Sequence, residues 1–485
     1  MRQVIYGSTR GLSDARAFVR RLGGYGHSFD AEPFVARRDI VVTRAPGRLS
    51  LFGGVADHAG APALHLPLRD GVFVALQRVP ERHVRMMRLR TDGTTLDASV
   101  ELPLGHLEAG REPVSYDVAR GYFARHDDRA WAAGVAGALL VLMRERGVRF
   151  GEGFRILVAP ALPARRGLGT AAAISVAVVR AICAEANLPI DAPEMVALCQ
   201  DIGHLVVGAD PTTADHATAV RAESGHLLAS VPPPTAADRL VPWPADLGLW
   251  GLDDGSAHAP HDRAFGAARV GVAMAFRLVA AAAGLPVERQ GPGRVTIDDA
   301  RWRGRLANVP VDLFEDEFAP RLPERMTGAD FLSRFDGVAD PRALVDPHTP
   351  YPVRAAARLA VHERERAIEF ESFLGMYPSP DRAAYLGELL RASHQDHVAC
   401  GLVTADTQAV VDLVSRRGGA VGLVGAKVTS GGGGGVVAVL GEADARPGLD
   451  LVRRQLRSRH HALPAVHVGS SPGAMRFGYL RLRGG

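Results

Sequence analysis

The sequence predicts an α+β protein of two domains, and three observations support this prediction. The chain has 485 residues, 47% of them hydrophobic and 23% charged, which suits more than one globular core. Strand-like apolar runs alternate with amphipathic helical stretches along the whole length. A run of prolines, Pro232–Pro234, breaks the composition near the middle. We therefore place the first domain at residues 1–230 and the second at residues 231–485.

The elements of the first domain follow from hydrophobic periodicity and from its breakers. Pro46 and Gly47 are expected to end a strand that begins at Asp39. Pro211 is expected to begin a helix capped by Asp210, because proline suits the first helical position. The other elements expected here are helices over residues 14–22, 130–146, 174–186 and 193–207 and strands over residues 64–68, 71–78 and 154–159.

The second domain is expected to begin with a strand that leads into a long alanine-rich helix. Its charged middle part, residues 284–355, is expected to hold short helices. The elements expected in order are a strand over residues 247–253, helices over residues 264–283, 385–397 and 405–416, and a strand that ends at residue 440.

Composition excludes several classes of function. The net charge of +4 is spread along the chain, without a Lys/Arg run interleaved with aromatics, so nucleic acid is not an expected partner. No apolar run reaches the ~18 residues of a membrane span, and the first residues lack the apolar core of a signal peptide. Cys183, Cys199 and Cys400 lie far apart and predict reduced thiols. We expect a cytoplasmic protein with no membrane partner, of undetermined oligomeric state.

A glycine-rich loop that precedes an apolar helix is the central feature of the sequence. Gly167 and Gly169 allow tight turns, and from Thr170 the residues are small and then apolar. The N-terminus of such a helix binds anions through free N–H groups and the positive end of the helix dipole. With Arg165 and Arg166 beside it, a nucleotide phosphate is a suitable ligand. An ordinary loop before a core helix explains the segment equally well.

A second glycine-rich segment lies near the C-terminus. Residues 425–440 contain five consecutive glycines, Gly431–Gly435, followed directly by an apolar strand. A flexible linker is the alternative, but a linker is not followed at once by such a strand. A loop that lets the backbone approach a ligand closely fits better.

Two acids stand among small residues. Asp57 lies in a glycine-flanked turn, and Asp215 lies one turn inside the helix expected after Pro211. Small neighbours leave room for a substrate. Taken alone, Asp215 is better explained as a solvated helix acid.

Three motifs occur in a fixed order, and together they resemble the GHMP small-molecule kinases. The motifs are Ala45-Pro-Gly-Arg-Leu with its downstream acidic turn, Gly167-Leu-Gly-Thr-Ala-Ala-Ala, and Gly425-Ala-Lys-Val-Thr-Ser-Gly-Gly-Gly-Gly-Gly. The resemblance runs from about residue 39 to the C-terminus and is strongest to the sugar-kinase branch, in particular the L-arabinokinases. Supporting stretches are residues 113–120, 131–137, 250–255, 399–401 and 469–481.

The resemblance implies a fold and a reaction. It implies an N-terminal domain with a mixed sheet, an α+β C-terminal domain, and an active site in the cleft between them. It implies transfer of the γ-phosphoryl group of ATP, with Mg²⁺, to the anomeric hydroxyl of L-arabinose or a related sugar. Asp215 matches the catalytic acid, and Arg48 matches the arginine that steadies the transferring phosphoryl group.

The resemblance also implies binding residues. Asp57 matches the acid that holds sugar hydroxyls, and Gly54 stands where galactokinases carry Glu and arabinokinases carry Gly. A glycine there suits a pentose or a sugar that is bulkier at that end. The remaining expected sugar contacts are His58, His216 and Phe265, and the expected nucleotide contacts are Arg166, Gly167, Leu168, Gly169, Thr170, Ala171, Ala172, Gly431, Gly432 and Gly433.

The chain departs from the family pattern at the metal site and in the sugar pocket. Ala171 replaces the Mg²⁺-binding serine, and Gly203 stands where a metal-binding Glu is expected. Thr170 is then the nearest hydroxyl that could serve as a ligand, with helix capping as its alternative role. Asp201 is two residues out of register and so on another helical face. In the sugar pocket, His216 replaces Gln, and Ala264-Phe265-Gly266 replaces Asp-Tyr-Arg.

Three interpretations therefore stay open. The chain is a sugar 1-kinase, a GHMP-fold enzyme with altered chemistry, or a non-catalytic protein that binds nucleotide or sugar. Retention of Asp215, Arg48 and Asp57 together favours an enzyme, whereas loss of both expected metal ligands argues against an ordinary kinase.

Overall fold

The structure is a computed structural model that describes residues 3–22, 33–125, 127–231, 238–255, 262–429, 434–460 and 463–484. The strands are β1 Val4–Tyr6, β2 Ile40–Phe52, β3 Ala63–Val79, β4 His83–Leu89, β5 Leu96–Pro103, β6 Glu108–Ala109, β7 Glu112–Pro113, β8 Gly153–Pro160, β9 His226–Ser230, β10 Arg239–Pro242, β11 Leu247–Asp253, β12 Val287–Gly291, β13 Gly293–Ile297, β14 Met326–Thr327, β15 Gly337–Val338, β16 Pro350–Tyr351, β17 Leu423–Val428, β18 Val436–Glu442, β19 Val466–His467 and β20 Leu480–Leu482.

Several α-helices pack against two main sheets, whereas α7 packs against α10 and two short strands outside those sheets. The α-helices are α1 Ser13–Leu22, α2 Tyr116–Ala124, α3 Ala133–Glu145, α4 Thr170–Glu185, α5 Ala192–Asp201, α6 Thr213–Arg221, α7 Asp262–Ala282, α8 Val311–Leu313, α9 Gly328–Leu332, α10 Val353–Leu374, α11 Pro380–Ala399, α12 Ala405–Arg417, α13 Arg446–His460 and α14 Ala474–Phe477.

The first sheet is mixed and contains both ends of the described chain. Its strands follow the order β1-β20-β2-β3-β8-β4-β5, and β9 pairs with both β3 and β10. Most pairs are antiparallel, but β4 runs parallel to β8. Every residue of β2 is buried, which explains its nearly continuous apolar sequence, since helices and the second sheet cover both of its faces.

The sequence predicted that two strands of this sheet would be interrupted, and both predictions are wrong. Strand β2 continues through Pro46 and Gly47, where a register shift between Pro46 and Arg48 absorbs the irregularity as a bulge. Residues 64–68 and 71–78 likewise form one strand, β3. Pairing between β2 and β3 continues past these local breakers and holds both strands extended.

The second sheet, β17-β18-β11-β19, lies against the first. Leu49 and Leu51 of β2 share a hydrophobic core with Val436 and Leu440 of β18. The two sheets are also joined by Thr429, whose hydroxyl donates to the Ser50 carbonyl at 3.0 Å and accepts from the Ser50 N–H at 2.9 Å. The first and third sequence motifs are therefore held side by side.

The segment between α5 and α6 differs from the prediction. The expected helix over residues 193–207 is α5 followed by a π-helix, Ile202–Val207. Helix α6 begins at Thr213 with Thr212 at its N-cap, not at Pro211. Asp210 does not cap it, because this carboxylate pairs with Arg269 of α7.

One segment, Arg263–Ala282 within α7, is long and apolar enough to pass a length-and-composition test for a membrane span. More than half of its apolar window is buried inside the protein, as in the core helix of a globular domain. The three cysteines are free and buried.

Candidate active site

The first glycine loop has the backbone shape of an anion cradle. Gly169 adopts a left-handed conformation, with φ of 72°, and is the N-cap of α4 without any side-chain capping bond. The first N–H groups of this 16-residue helix are therefore available to a ligand. Leu168 is buried, and its carbonyl accepts a hydrogen bond from the backbone N–H of Arg48 at 2.8 Å, which anchors the loop to β2. Ala171 is exposed at the first turn, and Ala172 is buried.

The end of the second glycine loop lies directly against the first. A Cβ added to Gly434 would lie 2.6 Å from the backbone N of Gly167, so only glycine allows this approach. Gly435 makes a similar close contact with the guanidinium of Arg166. The expected nucleotide contacts Gly431, Gly432 and Gly433 lie outside the described residues.

Arg166 joins the first glycine loop to the second sheet. Its guanidinium contacts Asp253 at the end of β11 and donates to Asp254 Oδ1 at 2.7 Å. Burial opposes the charge of Arg166, but the hydrogen bonds to both carboxylates outweigh burial and raise its pKa. The guanidinium of Arg166, which is expected to bind phosphate, is therefore already paired with two carboxylates.

Arg48 connects the candidate base to the first glycine loop. Its Nε donates to Asp215 Oδ1 at 2.7 Å, and a terminal nitrogen donates to the Gly167 carbonyl at 2.6 Å. Burial alone would raise the pKa of Asp215, but the charge and hydrogen bond of Arg48 lower it to about 2. His65 lies 4.0 Å from the same carboxylate oxygen, and burial lowers its pKa to about 3. At neutral pH, Asp215 is ionised and His65 is uncharged.

Asp57 is the second carboxylate of the site, and its environment shifts its pKa in the opposite direction from that of Asp215. Burial, followed by the charge of Asp215, raises its pKa well above the usual value. Neither of its oxygens has a hydrogen-bond partner of ordinary geometry among the described residues. Two neighbouring carboxyl groups whose pKa values are pushed apart are typical of catalytic sites.

Further polar atoms of this region are buried without a hydrogen-bond partner of ordinary geometry in the part of the chain that the structure describes. They are Oγ1 of Thr212, Nδ1 of His216 and Nε2 of His58. Burial lowers the pKa of both histidines to about 4, so each ring is neutral and offers one donor and one acceptor. Because unpaired buried polar groups are costly, these atoms call for partners beyond those of ordinary geometry among the described residues.

The remaining expected sugar contacts border this group. The ring of Phe265 meets that of His58 edge-on, with centroids 6.1 Å apart. Gly54 has φ of 72°, a left-handed conformation that disfavours the Glu of galactokinases at this position.

The positions expected to bind Mg²⁺ do not supply free ligand atoms in the described part of the chain. Ala171 has no ligand atom, and the Thr170 hydroxyl donates to the Pro163 carbonyl at 3.0 Å. A Cβ at Gly203 would lie 2.5 Å from the Pro211 ring, so the expected glutamate has no room there. The charged side chains that shift the pKa of Asp201 are Glu145 and Arg342, and neither belongs to the first glycine loop. No metal-binding group of three or more His, Cys, Asp or Glu side chains occurs in these parts of the chain.

Sequence reasoning missed four contributors to the site. Thr212 and His65 belong to none of the three motifs. Asp254 lies in the supporting stretch 250–255, but no role was expected for it. Lys427, the only lysine of the chain, is buried behind the site, where its Nζ lies 3.0 Å from Glu363 and also contacts the Leu51 carbonyl. Its uniqueness in an arginine-rich sequence is the signal that could have identified it.

Fold and site together define a two-domain α+β architecture in which a glycine-loop anion cradle lies beside buried carboxylates. Residues 133–223 match the model of the GHMP kinases N terminal domain. The chain is similar to L-arabinokinase of Arabidopsis thaliana, at 31% identity over 538 residues that cover 99% of this chain and 52% of that protein. A galactokinase of Chloroflexus aurantiacus is 25% identical over 56% of this chain and 62% of its own length.

The chain thus spans about half the length of the L-arabinokinase it matches. Among solved structures, Lactococcus lactis galactokinase complexed with galactose superposes with a TM-score of 0.68 and 15% identity, covering 94% of this chain and 99% of that one. Mevalonate kinase of L. major superposes with a TM-score of 0.52 and 14% identity, covering 89% and 97%. The predicted α+β fold of the GHMP kinases is confirmed.

Proposed function

We propose that the chain is an ATP-dependent sugar 1-kinase that phosphorylates the anomeric hydroxyl of L-arabinose or a related sugar. The observation that supports this most is the position of Arg48, which joins the ionised Asp215 to the Gly167 carbonyl of the glycine loop. One guanidinium therefore contacts both a base and an anion cradle, where it can stabilise charge during phosphoryl transfer.

In this mechanism, the N–H groups at the start of α4 hold the phosphates of ATP. Asp57 and the unpaired polar atoms around it hold the sugar hydroxyls. Asp215 orients the anomeric hydroxyl and accepts its proton as the oxygen attacks the γ-phosphorus. The bond between that phosphorus and the leaving oxygen of ADP breaks as the new bond forms, and Arg48 stabilises the charge on the phosphoryl oxygens. The proton leaves Asp215 for solvent with the product.

The Asp215 carboxylate, with a pKa lowered to about 2, is a weak base, and this suits the reaction. Phosphoryl transfer depends mainly on positioning and charge neutralisation, with little need for early proton removal. The absence of a fitting Mg²⁺ site among the described residues favours the second candidate, a GHMP-fold protein that binds sugar and nucleotide without ordinary kinase turnover.

A direct assay separates the two candidates. The protein is incubated with ATP, MgCl₂ and free sugars, including L-arabinose and D-galactose, and ADP and sugar 1-phosphate are quantified. Formation of both in equal amounts supports the kinase. ATP and sugar binding by calorimetry without any product supports the second candidate.

We also infer a cytoplasmic location from the three free, buried thiols.

A further inference from the structure

His65 is buried between the first sheet and the helix that carries the candidate base. Its strand, β3, pairs with β2 at Ser50 on one side and with β9 at Leu228 on the other. Its Nδ1 lies 3.1 Å from the hydroxyl oxygen of Thr218, a fully buried residue of α6. Because the backbone of His65 is held by strand pairing on both sides, a hydrogen bond from its ring ties α6 to a fixed point of the sheet.

The hydrogen bonds of Thr218 determine which ring nitrogen of His65 carries the proton. The Thr218 hydroxyl donates to the Ala214 carbonyl, one turn earlier in α6, at 2.7 Å. A hydroxyl has a single hydrogen, so towards His65 it can only accept. Burial, followed by the charge of Arg48, lowers the pKa of His65 to about 3, so the ring is neutral at neutral pH. Nδ1 therefore carries the one ring proton and donates it to Thr218.

The same contact fixes the part of α6 that holds Asp215. Asp215 follows Ala214 in the first turn of the helix, so it moves together with the Thr218 contact. Its Oδ1 accepts from Arg48 Nε at 2.7 Å and lies 4.0 Å from His65 Nδ1. The N-cap residue of α6 makes no side-chain capping bond, so no such bond of its own fixes the start of this helix. Arg48 thus holds the carboxylate, whereas His65 holds the helix beneath it.

We propose that His65 is a positioning residue of the phosphoryl transfer: by donating to Thr218 it sets the rotation of α6, and with it the direction in which the Asp215 carboxylate faces the acceptor hydroxyl. The inference rests on the proposed function, in which Asp215 is the base. As a residue only 1% exposed, His65 acts through Thr218 and not on the substrate.

Steady-state kinetics of a double-mutant cycle on the full chain test the inference, with ATP and the sugar that gives most product. His65→Leu removes the donor, and Thr218→Val removes the acceptor. We expect each variant to lower kcat roughly tenfold, because small misplacements of a reacting group are costly, with both KM values changed by less than about threefold. The double variant should lose no more than either single variant, since both remove the same hydrogen bond.

A conservative variant and a control distinguish positioning from a role in stability alone. His65→Asn places an amide nitrogen where Nδ1 stands and should recover most of kcat. Thr407→Val removes another fully buried hydroxyl, one that donates to the Thr404 carbonyl at 3.0 Å in α12. It should lower the unfolding midpoint but leave kcat within about threefold, as expected of a surplus hydrogen bond far from the reacting groups. If His65→Leu does not fold, Thr218→Val takes its place, and its loss of kcat must exceed that of Thr407→Val.

Three results would overturn the inference: unchanged kcat in His65→Leu and Thr218→Val, losses that multiply in the double variant, or an equal loss in Thr407→Val. The experiment also separates this inference from the kinase proposal. Turnover that is the same in the unaltered protein and in these variants keeps the kinase and removes the positioning role. Absence of product with the unaltered protein removes the kinase, and the positioning role in phosphoryl transfer with it.

Discussion

The Nε of Arg48 lies 2.7 Å from Oδ1 of Asp215, although 167 residues separate them in the chain. The same arginine side chain packs over Gly169, where an added Cβ would lie 2.9 Å from Arg48 Cγ. Glycine is therefore needed at this position both for its left-handed backbone and for the approach of Arg48. The candidate base, the charged group and the phosphate cradle form one contact network.

Asp215→Asn should lower turnover by roughly 10²-fold or more, the usual effect of removing a general base. The asparagine oxygen can still accept a hydrogen bond from Arg48, so we expect the variant to fold and to bind sugar. Steady-state kinetics and calorimetry measure these two properties. Asp117→Asn, at an exposed acid of α2, is the control. Undiminished turnover of Asp215→Asn would remove this residue from the mechanism.

Asp57→Asn should stabilise the free protein at pH 8 while weakening sugar binding. The pKa of Asp57 is raised in the folded state, so folded protein binds more protons than unfolded protein, and stability falls as pH rises from about 4. Removing the charge should recover about 1–3 kcal/mol of unfolding free energy at pH 8 and less at pH 5. Urea unfolding at both pH values checks this. A variant that is less stable than wild type at pH 8 would show that Asp57 has a compensating partner.

Ala171→Ser should raise the apparent affinity for Mg²⁺ during nucleotide binding. Ala171 is exposed at the first turn of α4, so the new hydroxyl fits without repacking and supplies an oxygen ligand. Thr170→Val should lower that affinity if the Thr170 hydroxyl is a ligand. If that hydroxyl only ties the loop to Pro163, the variant should instead lose about 1 kcal/mol of stability. ATP titrations over a series of Mg²⁺ concentrations distinguish these results.

Gly203→Glu should not restore a metal site by itself. Its Cβ would lie 2.5 Å from Cγ of Pro211, and such overpacking typically costs about 1–3 kcal/mol. We expect a lower unfolding midpoint and no gain in Mg²⁺ affinity. A gain in Mg²⁺ affinity at unchanged stability would mean that the Pro211 segment yields easily.

Asp254→Asn should tighten ATP binding by roughly threefold to tenfold at low salt, with a smaller effect at high salt. Asp254 is fully buried and shares the Arg166 guanidinium with Asp253. Removing one negative charge beside the glycine loop reduces repulsion of the triphosphate, and asparagine keeps the acceptor oxygen. Calorimetry at two salt concentrations measures the change, with the exposed Asp444→Asn as control. Weaker ATP binding would mean that Asp254 assists the nucleotide.

The glycine loop and the helix that follows it could be predicted from sequence because their causes are local. Gly169 supplies the left-handed N-cap, and α4 consists of small and apolar residues that suit a buried helix. The order of the three motifs also predicted the fold, which is confirmed. The division at residue 230 stays a prediction, and β10 extends the first sheet to Pro242.

Errors arose where distant contacts outweigh local preference. Pro46 was expected to end a strand. Strand β2 instead continues past it through a bulge, because it pairs with β3 on one side and is buried along its whole length. Asp210 was expected to cap a helix, but Arg269 of α7 takes its carboxylate. Local rules cannot include an ion pair whose partner lies 59 residues further along the chain.

By itself, the sequence determined which groups are available: two glycine loops, two acids among small residues, and a single lysine. Only the tertiary structure decided their states. Asp57 and Asp215 are both aspartates, yet one has a raised pKa and the other a pKa of about 2, because Arg48 contacts only Asp215 closely. Lys427 and Glu363 are 64 residues apart in the chain, yet they are buried in contact with each other. Burial and charge pairing depend on distances in space, and these are set only when the two sheets pack.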